Sequence, residues 1–291
     1  MRVLIIGGSG FIGQHLCGAL MEKQHCDVIA THRRDLNCNE RQNGMTYYNV
    51  DLNRSFDTLR ELMCDVDVVV IAIKPNITHA QRIQEAIKSN HTLKKMVYLS
   101  TIMVYPDSTM PHDESIQPDV LTEYEMNKLQ EEKLFRTFVQ DSDCVLCIAR
   151  LGNVYGDVKD LGIVNYIIKA LLEGKIFTVN GDGSIVRDYI HIDDASMLLA
   201  SLVTRTQSEK VSIYNVSSGE GSSINQLIEF VELHKKSKLS VQNAPAKYEK
   251  GSVIGNNLRL INLLQQRPRY NLEAGLSLAV KMYEDKYEKT V

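Results

Sequence analysis

Residues 1–13 read MRVLIIGGSGFIG: four consecutive apolar residues, Val3 to Ile6, stop at glycines 7, 8, 10 and 13. A short apolar run bounded by glycine reads as a buried strand, and the helical periodicity of Phe11–Lys23 follows at once. Glycine in a strand-to-helix turn answers three demands: a sharp change of direction, backbone approach by a pyrophosphate at the helix N-terminus, and tight packing of helix on strand. Two registers fit, Gly8-x-Gly10-x-x-Gly13 and Gly7-x-x-Gly10-x-x-Gly13. On spacing alone the stretch is a dinucleotide loop or a sharp turn.

The pattern continues outward. Further strand-like runs lie at Asp27–Thr31, Met45–Val50, Val66–Ile73, Met96–Leu99 and Cys144–Ala149, with helical segments at Phe56–Cys64 and Ile77–Ser89 between them. Strands alternating with helices predict an α/β protein with a Rossmann-type doubly wound parallel sheet. Beyond residue 152 the alternation loosens. Helices are expected near Gly162–Glu173, Asp193–Thr204, Ile224–Lys235 and from Leu272, among short strands. This predicts a smaller, partly interleaved α/β substrate lobe: residues 1–152 form a dinucleotide-binding domain, about 190–215 return to it, and 153–291 form mainly the substrate lobe.

Composition narrows the class. The 291 residues carry 33 Lys and Arg against 36 Asp and Glu, a net charge of −3, and no tryptophan. No basic run points to nucleic acid, no stretch approaches the roughly 20 apolar residues of a membrane span, and the apolar start lacks a signal-peptide cleavage pattern. A cytoplasmic enzyme is expected. The six cysteines (17, 26, 38, 64, 144, 147) show no disulfide framework. Cys144 and Cys147 form a C-x-x-C within a strand, where residues three apart face opposite sides, so a core role is expected and no metal.

The second strand ends in ATHRRD, placing His32 where NAD-preferring sites commonly have an acid, with Arg33 and Arg34 after it. Two guanidinium groups suit a 2′-phosphate, so NADP(H) is expected, with NAD(H) the alternative. A solvated basic turn answered by Asp35 and Glu40 is the competing reading. Asp51 and Leu52, past the third strand, are placed to meet the adenine. For chemistry, Tyr124 and Lys128 in YEMNK lie four apart on an expected helix and share a face; a cation beside a phenol favours its ionised form. Tyr155 and Lys159 have the same spacing, but Tyr155 is followed by glycine in a loop. Thr101, at the end of the strand in LSTIMVY, brings a hydroxyl to the rim that carries the glycine loop.

The ordered series GGSGFIG, LSTIMVY, YEMNKL, RLGNVYG, GDGSIVRDYIHIDDA, YNVSSGEGSSINQL and RPRYNLEAGL resembles the extended short-chain dehydrogenase/reductase family of nucleotide-sugar epimerases, dehydratases and reductases, over nearly the whole chain. The resemblance implies that Gly7, Gly10 and Gly13 are the operative glycines. It further implies that Phe11, Ile12, Ala72 and Ile73 join His32, Arg33, Arg34, Asp51, Leu52 and Lys128 around the cofactor. Tyr124 is the implied acid/base, Lys128 the group that lowers its pKa, and Thr101 the hydroxyl on the substrate oxygen. Asn153 and Arg187 match contacts to the nucleotide diphosphate, against the alternative of an Arg187 salt bridge to Asp188 or Asp193. His191 reads as structural.

Three departures from the family pattern matter. Ile102 and Met103 stand where 4,6-dehydratases carry two acids, which counts against dehydration. Only Ile73, Lys74 and Pro75 separate Ala72 from Asn76, a shortening that removes part of a segment used in the family's homodimer. The second substrate arginine has no clear counterpart; Lys247 and Lys250 are the nearest cations. With Arg33 and Arg34, the reading becomes an NADPH-dependent reductase of a nucleotide-diphosphate 4-keto-6-deoxysugar, its proton from Tyr124. An NAD-dependent nucleotide-sugar 4-epimerase is the first alternative and a non-catalytic NADP-sensing protein the second.

Overall fold

The computed structural model describes residues 1–23, 25–33, 44–90, 92–160, 162–246 and 249–288. Arg34 and Lys247, both singled out above, lie outside the described residues. In chain order the elements are β1 (Arg2–Ile6), α1 (Phe11–Met21), β2 (Asp27–His32), β3 (Thr46–Asn49), α2 (Phe56–Met63), β4 (Val68–Ile71), α3 (Ile77–Ile87), β5 (Lys95–Thr101), α4 (Glu123–Gln140), β6 (Val145–Leu151) and β7 (Asn153–Tyr155). They continue with α5 (Ile163–Leu172), β8 (Phe177–Asn180), β9 (Val186–His191), α6 (Ile192–Thr204), β10 (Val211–Val216), β11 (Gly221–Ser223), α7 (Ile224–Lys235), β12 (Val241–Ala244), β13 (Ser252–Val253), α8 (Leu258–Leu264) and α9 (Leu272–Glu288).

The main sheet has seven strands in the order β10-β6-β5-β4-β1-β2-β3. β1 pairs in parallel with β2 on one side and β4 on the other, so the strand order reverses there. Beyond the carboxyl ends of strands at such a reversal lies the usual crevice for a ligand in an open α/β sheet. The expected Rossmann-type doubly wound sheet is therefore the observed one. Val68–Ile71 and Lys95–Thr101 are buried at every position, as strands covered on both faces must be. β4 is shorter than its apolar run. After a last ladder bond from Ala72 N–H to Ile6 O, 2.9 Å, the chain turns through Ile73–Pro75. Pro75 has no N–H to extend the ladder, and the Asn76 side chain caps α3 by accepting the His79 amide at 3.0 Å.

The chain forms two compact units: Met1–Val104, Thr122–Arg150 and Ser196–Tyr214 make the first, and Tyr105–Leu121, Leu151–Ala195 and Asn215–Val291 the second. The core of the first joins Leu4, Ile6, Ile29, Val69, Ile71, Met96, Tyr98, Phe135 and Ile148. The second is built around Ile167, Ile168, Tyr189, Leu227, Val231, Leu276 and Val280. Residues 105–121 fall inside the span 1–152 expected for the first domain, yet pack in the second unit. The cause is long-range pairing: Asp107 accepts the amides of Gly251 and Ser252 at 2.8 Å, His112 bridges Gly255, and Glu114 accepts the Asn215 amide at 2.9 Å. Among the described residues five cysteines are free, Cys144 and Cys147 both buried; no helix is long and apolar enough to cross a membrane, and no His/Cys/Asp/Glu group could hold a metal.

Candidate active site

In the turn from β1 to α1, Gly7 has φ +89°, and a Cβ there would stand 2.6 Å from Ala72 O and 2.9 Å from the Ile73 side chain. A Cβ on Gly13 would stand 2.2 Å from Gly7 O. Gly10 donates its amide to the same carbonyl at 3.0 Å. The backbone thus gathers Gly7, Gly10 and Gly13 around one oxygen, while Gly8 packs on Ala30. Gly10 is also the N-cap of α1, and no side chain caps that end. Unclaimed amides and the positive end of the helix dipole, reached over bare backbone, fit a dinucleotide pyrophosphate. Phe11 and Ile12 occupy the first turn of α1; Ala72 and Ile73 face Gly7.

At the end of β2, His32 is buried, its ring 6.5 Å from that of Tyr47, whereas Arg33 is exposed. Asp51 accepts the Asn53 amide at 2.9 Å, and this bond above all holds its carboxyl below the usual range, aided by the charges of Arg54 and Arg33. Leu52 is buried, and its carbonyl accepts from Arg82 at 2.5 Å.

Helix α4 starts with a capping box. Thr122 accepts the Glu125 amide at 3.2 Å, and the Glu125 carboxylate accepts the Thr122 amide. Tyr124 stands in the first turn, 48% exposed, and Lys128, one turn on, is only 4% exposed. The Lys128 amine donates to Leu99 O at 2.7 Å and Ile73 O at 3.4 Å and lies 4.9 Å from the Tyr98 ring centroid. Burial pulls its pKa down to about 8 against the opposing charges of Glu131 and Glu132. Loss of solvent, then Glu131 and Glu125, push the Tyr124 phenol above its ordinary value. Thr101, at the end of β5, is buried and accepts the Met103 amide at 3.2 Å; Ile102 is buried beside it. The second Y-x-x-x-K pair is not a counterpart. Tyr155 ends β7 and is buried edge-on to His191 at 5.5 Å, and no helix spans it and Lys159.

In the second unit Asn153 on β7 is paired with Tyr189 on β9 and bonds its side chain. Neither acid weighed as a partner holds Arg187. Its guanidinium donates to Glu249 at 3.0 Å and to the carbonyls of Val186, Lys250 and Gly251. Asp188 points elsewhere, accepting from the amides of Ser218, Gly219 and Gly255 and from the Ser218 hydroxyl, and full burial pushes its carboxyl up to about 6. Asp193 stands 3.7 Å from His191, which is buried between Tyr155 and Tyr270. Lys250 is buried, its amine 2.5 Å from Asp119 O.

Sequence reasoning passed over the polar belt beneath Lys128. Glu131 and Glu132 are both buried. Glu132 takes a two-pronged contact from Arg150 at 3.0 and 2.8 Å and the Ser100 hydroxyl at 2.6 Å. Glu131 takes the Tyr98 hydroxyl and the Asn76 amide, each at 2.5 Å. The signal was present: 128, 131, 132, 135 and 139 form one face of a helix, and two acids on a buried face need partners.

The family model described as the NAD dependent epimerase/dehydratase family matches residues 3–217. The chain belongs to this family, with its Rossmann-type fold. It is 26% identical to the UDP-glucuronate 4-epimerase of Thermodesulfobacterium geofontis over 98% of this chain and 97% of that protein. Two solved structures share the fold. The UDP-glucuronic acid 4-epimerase of Bacillus cereus, in complex with UDP-glucuronic acid and NAD, superposes with TM-score 0.89 at 24% identity over 99% of this chain and all of that one. The UDP-glucose 4-epimerase of Thermus thermophilus, in complex with NAD, superposes with TM-score 0.88 at 23% identity over 98% and 99%. These complexes overturn the expectation of NADP(H) drawn from His32, Arg33 and Arg34. At the strand end His32 is buried, and Arg33 is exposed with its charge felt by the Asp51 carboxyl, so Arg33 does not require a 2′-phosphate as its counter-charge.

Proposed function

We propose that the protein is an NAD-dependent nucleotide-sugar 4-epimerase, with the dinucleotide held by the first unit and the nucleotide diphosphate by the second. The observation that carries this reading is the pairing on α4: an accessible phenol, Tyr124, one turn from a buried amine, Lys128, whose hydrogen bonds fix it at the ends of β4 and β5. Gly7, Gly10 and Gly13 cradle the pyrophosphate, and Phe11, Ile12, His32, Arg33, Asp51, Leu52, Ala72 and Ile73 surround the rest of the cofactor. When bound, NAD would supply the hydride acceptor and donor for carbon 4 of the sugar. Tyr124 holds the 4-hydroxyl proton at its Oη while the carbonyl exists and gives it back. Thr101 positions that oxygen, and Asn153 and Arg187 bind the diphosphate, Arg187 by exchanging its ion pair with Glu249 for the phosphate oxygens. Lys128 holds its ammonium one turn from Tyr124, where a cation offsets the loss of solvent and the carboxylate charges that raise the phenol.

The curated relative and the solved neighbours named above are UDP-sugar 4-epimerases, which supports this reading over the 4-keto-6-deoxysugar reductase. The reductase reading rested on NADP(H) at Arg33 and Arg34, which the NAD complexes of the solved neighbours overturn. Ile102 and Met103 offer no acid for eliminating water. The test is incubation with UDP-glucose and with UDP-glucuronic acid without added cofactor, following the sugar H4 by NMR. The 4-epimer should accumulate to equilibrium. Turnover of a 4-keto sugar dependent on added reduced cofactor, with no epimer formed, would return the reductase.

A further inference from the structure

Lys128 is an unusual group to bury. Its ammonium has two carbonyls, Leu99 O and Ile73 O, and the face of Tyr98. Neither carbonyl carries a full charge. Two carboxylates of the same helix face it, Glu131 and Glu132, but they are committed differently. Glu132 is answered by the guanidinium of Arg150. Glu131 is held by neutral donors, the Tyr98 hydroxyl on one oxygen and the Asn76 amide on the other. Its negative charge is therefore offered to its surroundings, while that of Glu132 is already balanced.

Both donors lead back to the lysine. Tyr98 lies in β5 next to Leu99, whose carbonyl holds the amine, and a phenol that donates to a carboxylate has a more electron-rich ring for the cation above it. Asn76 closes the three-residue turn that begins at Ile73, whose carbonyl is the amine's second acceptor, and it caps α3. Glu131 thus braces both walls of the lysine's socket. The groups facing Lys128 are Glu131 and Glu132 from α4, Tyr98 from β5 and the Ile73 carbonyl from the turn; His79 of α3 also feels the Glu131 charge.

We propose that Glu131 is a positioning residue for the reaction: through the Tyr98 hydroxyl and the Asn76 amide it fixes the Lys128 ammonium at the ends of β4 and β5 and keeps it charged. The proposal deepens the epimerase reading and rests on Lys128 acting beneath Tyr124.

The test uses protein as purified, labelled with lysine carrying 13C at Cε, the Lys128 signal being identified by its loss in Lys128→Met. Glu131→Gln keeps shape and removes charge. It should lower the Lys128 titration midpoint by about one pH unit and move the basic limb of the kcat–pH profile down with it. Tyr98→Phe keeps the ring and removes the hydroxyl, and should shift both in the same direction by less. A Lys128 midpoint at the wild-type value in both variants, with any loss of kcat uniform across pH, would make Glu131 merely structural and overturn the proposal. If Glu131→Gln does not fold, Tyr98→Phe decides alone. The titration needs no substrate, so a protein that turns over no nucleotide sugar would refute the epimerase reading and leave the Glu131 result standing.

Discussion

Buried polar groups serve different ends in the two units. In the first, Lys128, Glu131, Tyr98 and Ser100 cluster under the helix face that carries Tyr124, so the desolvation they suffer is spent beside the proposed chemistry. In the second, Asp188, Asn215 and Asn257 bind backbone. Asp188 collects the 218–219 and 255 amides, Asn215 donates to His112 O and Asn256 O, and Asn257 donates to Ser217 O and Ser218 O. These are loop clamps. The contrast teaches that a buried charge is informative only once its partners are known: Glu132 in the first unit meets the Arg150 guanidinium beneath Lys128, whereas Asp188 in the second meets the amides of the loops it fixes.

The sharpest way to break the contrast is at Tyr124. Tyr124→Phe should reduce turnover by about 10²–10⁴-fold, the usual contribution of a positioned acid/base, with melting temperature and bound-cofactor content unchanged; steady-state kinetics and cofactor release on denaturation measure both. A variant that melts earlier but turns over normally would put Tyr124 among the structural groups. Next, Gly13→Ala forces a methyl against Gly7 O, a backbone atom that cannot yield locally. It should abolish cofactor retention and cost about 1–3 kcal/mol of stability, seen by released nucleotide and thermal unfolding.

In the second unit the balance should reverse. Asp188→Ala leaves three amides and a hydroxyl without their acceptor and should destabilise by about 3 kcal/mol. Its pH dependence has a definite sign. The folded carboxyl titrates at about 6, above the ordinary value of about 3.9, so the folded state holds its proton more tightly. That contribution is complete below about pH 4 and is lost as pH rises to about 6, so the destabilisation by Ala should shrink over that window in denaturant titrations. The smallest effect is expected at Lys128. Its amine titrates at about 8 when folded, below the ordinary value of about 10.4. Folding therefore opposes the charge, and wild-type stability should rise between about pH 8 and 10.4. Lys128→Met should remove that rise and gain about 1–3 kcal/mol at pH 7 while turnover falls.

The sheet was legible because its evidence is local: apolar runs of strand length, glycines at 7, 10 and 13, and helical periodicity between them. The Tyr124–Lys128 pair was legible for the same reason, since four residues apart on a helix fixes a shared face. What stayed hidden depends on distant partners. Nothing near Arg187 signals that Glu249, 62 residues on, will take its guanidinium, and nothing in 105–121 shows that Gly251 and Ser252 will claim Asp107. The NADP(H) expectation failed in this way. The sequence offers Asp35 and Glu40 as answers to Arg33, and only the fold adds Asp51, from beyond the third strand, to the charges it feels. Glu131 was half legible: periodicity places it on the buried face, but its donors come from β5 and the start of α3.

One measurement tests the epimerase assignment most directly. The purified protein is denatured, the released nucleotide is identified, and the native protein is given UDP-glucose or UDP-glucuronic acid deuterated at C4 with no cofactor added. The proposed reaction releases NAD and yields the 4-epimer with deuterium still on C4, because the hydride leaves and returns within one site. Release of NADP, or epimer formation that requires added cofactor and loses the label, would contradict it.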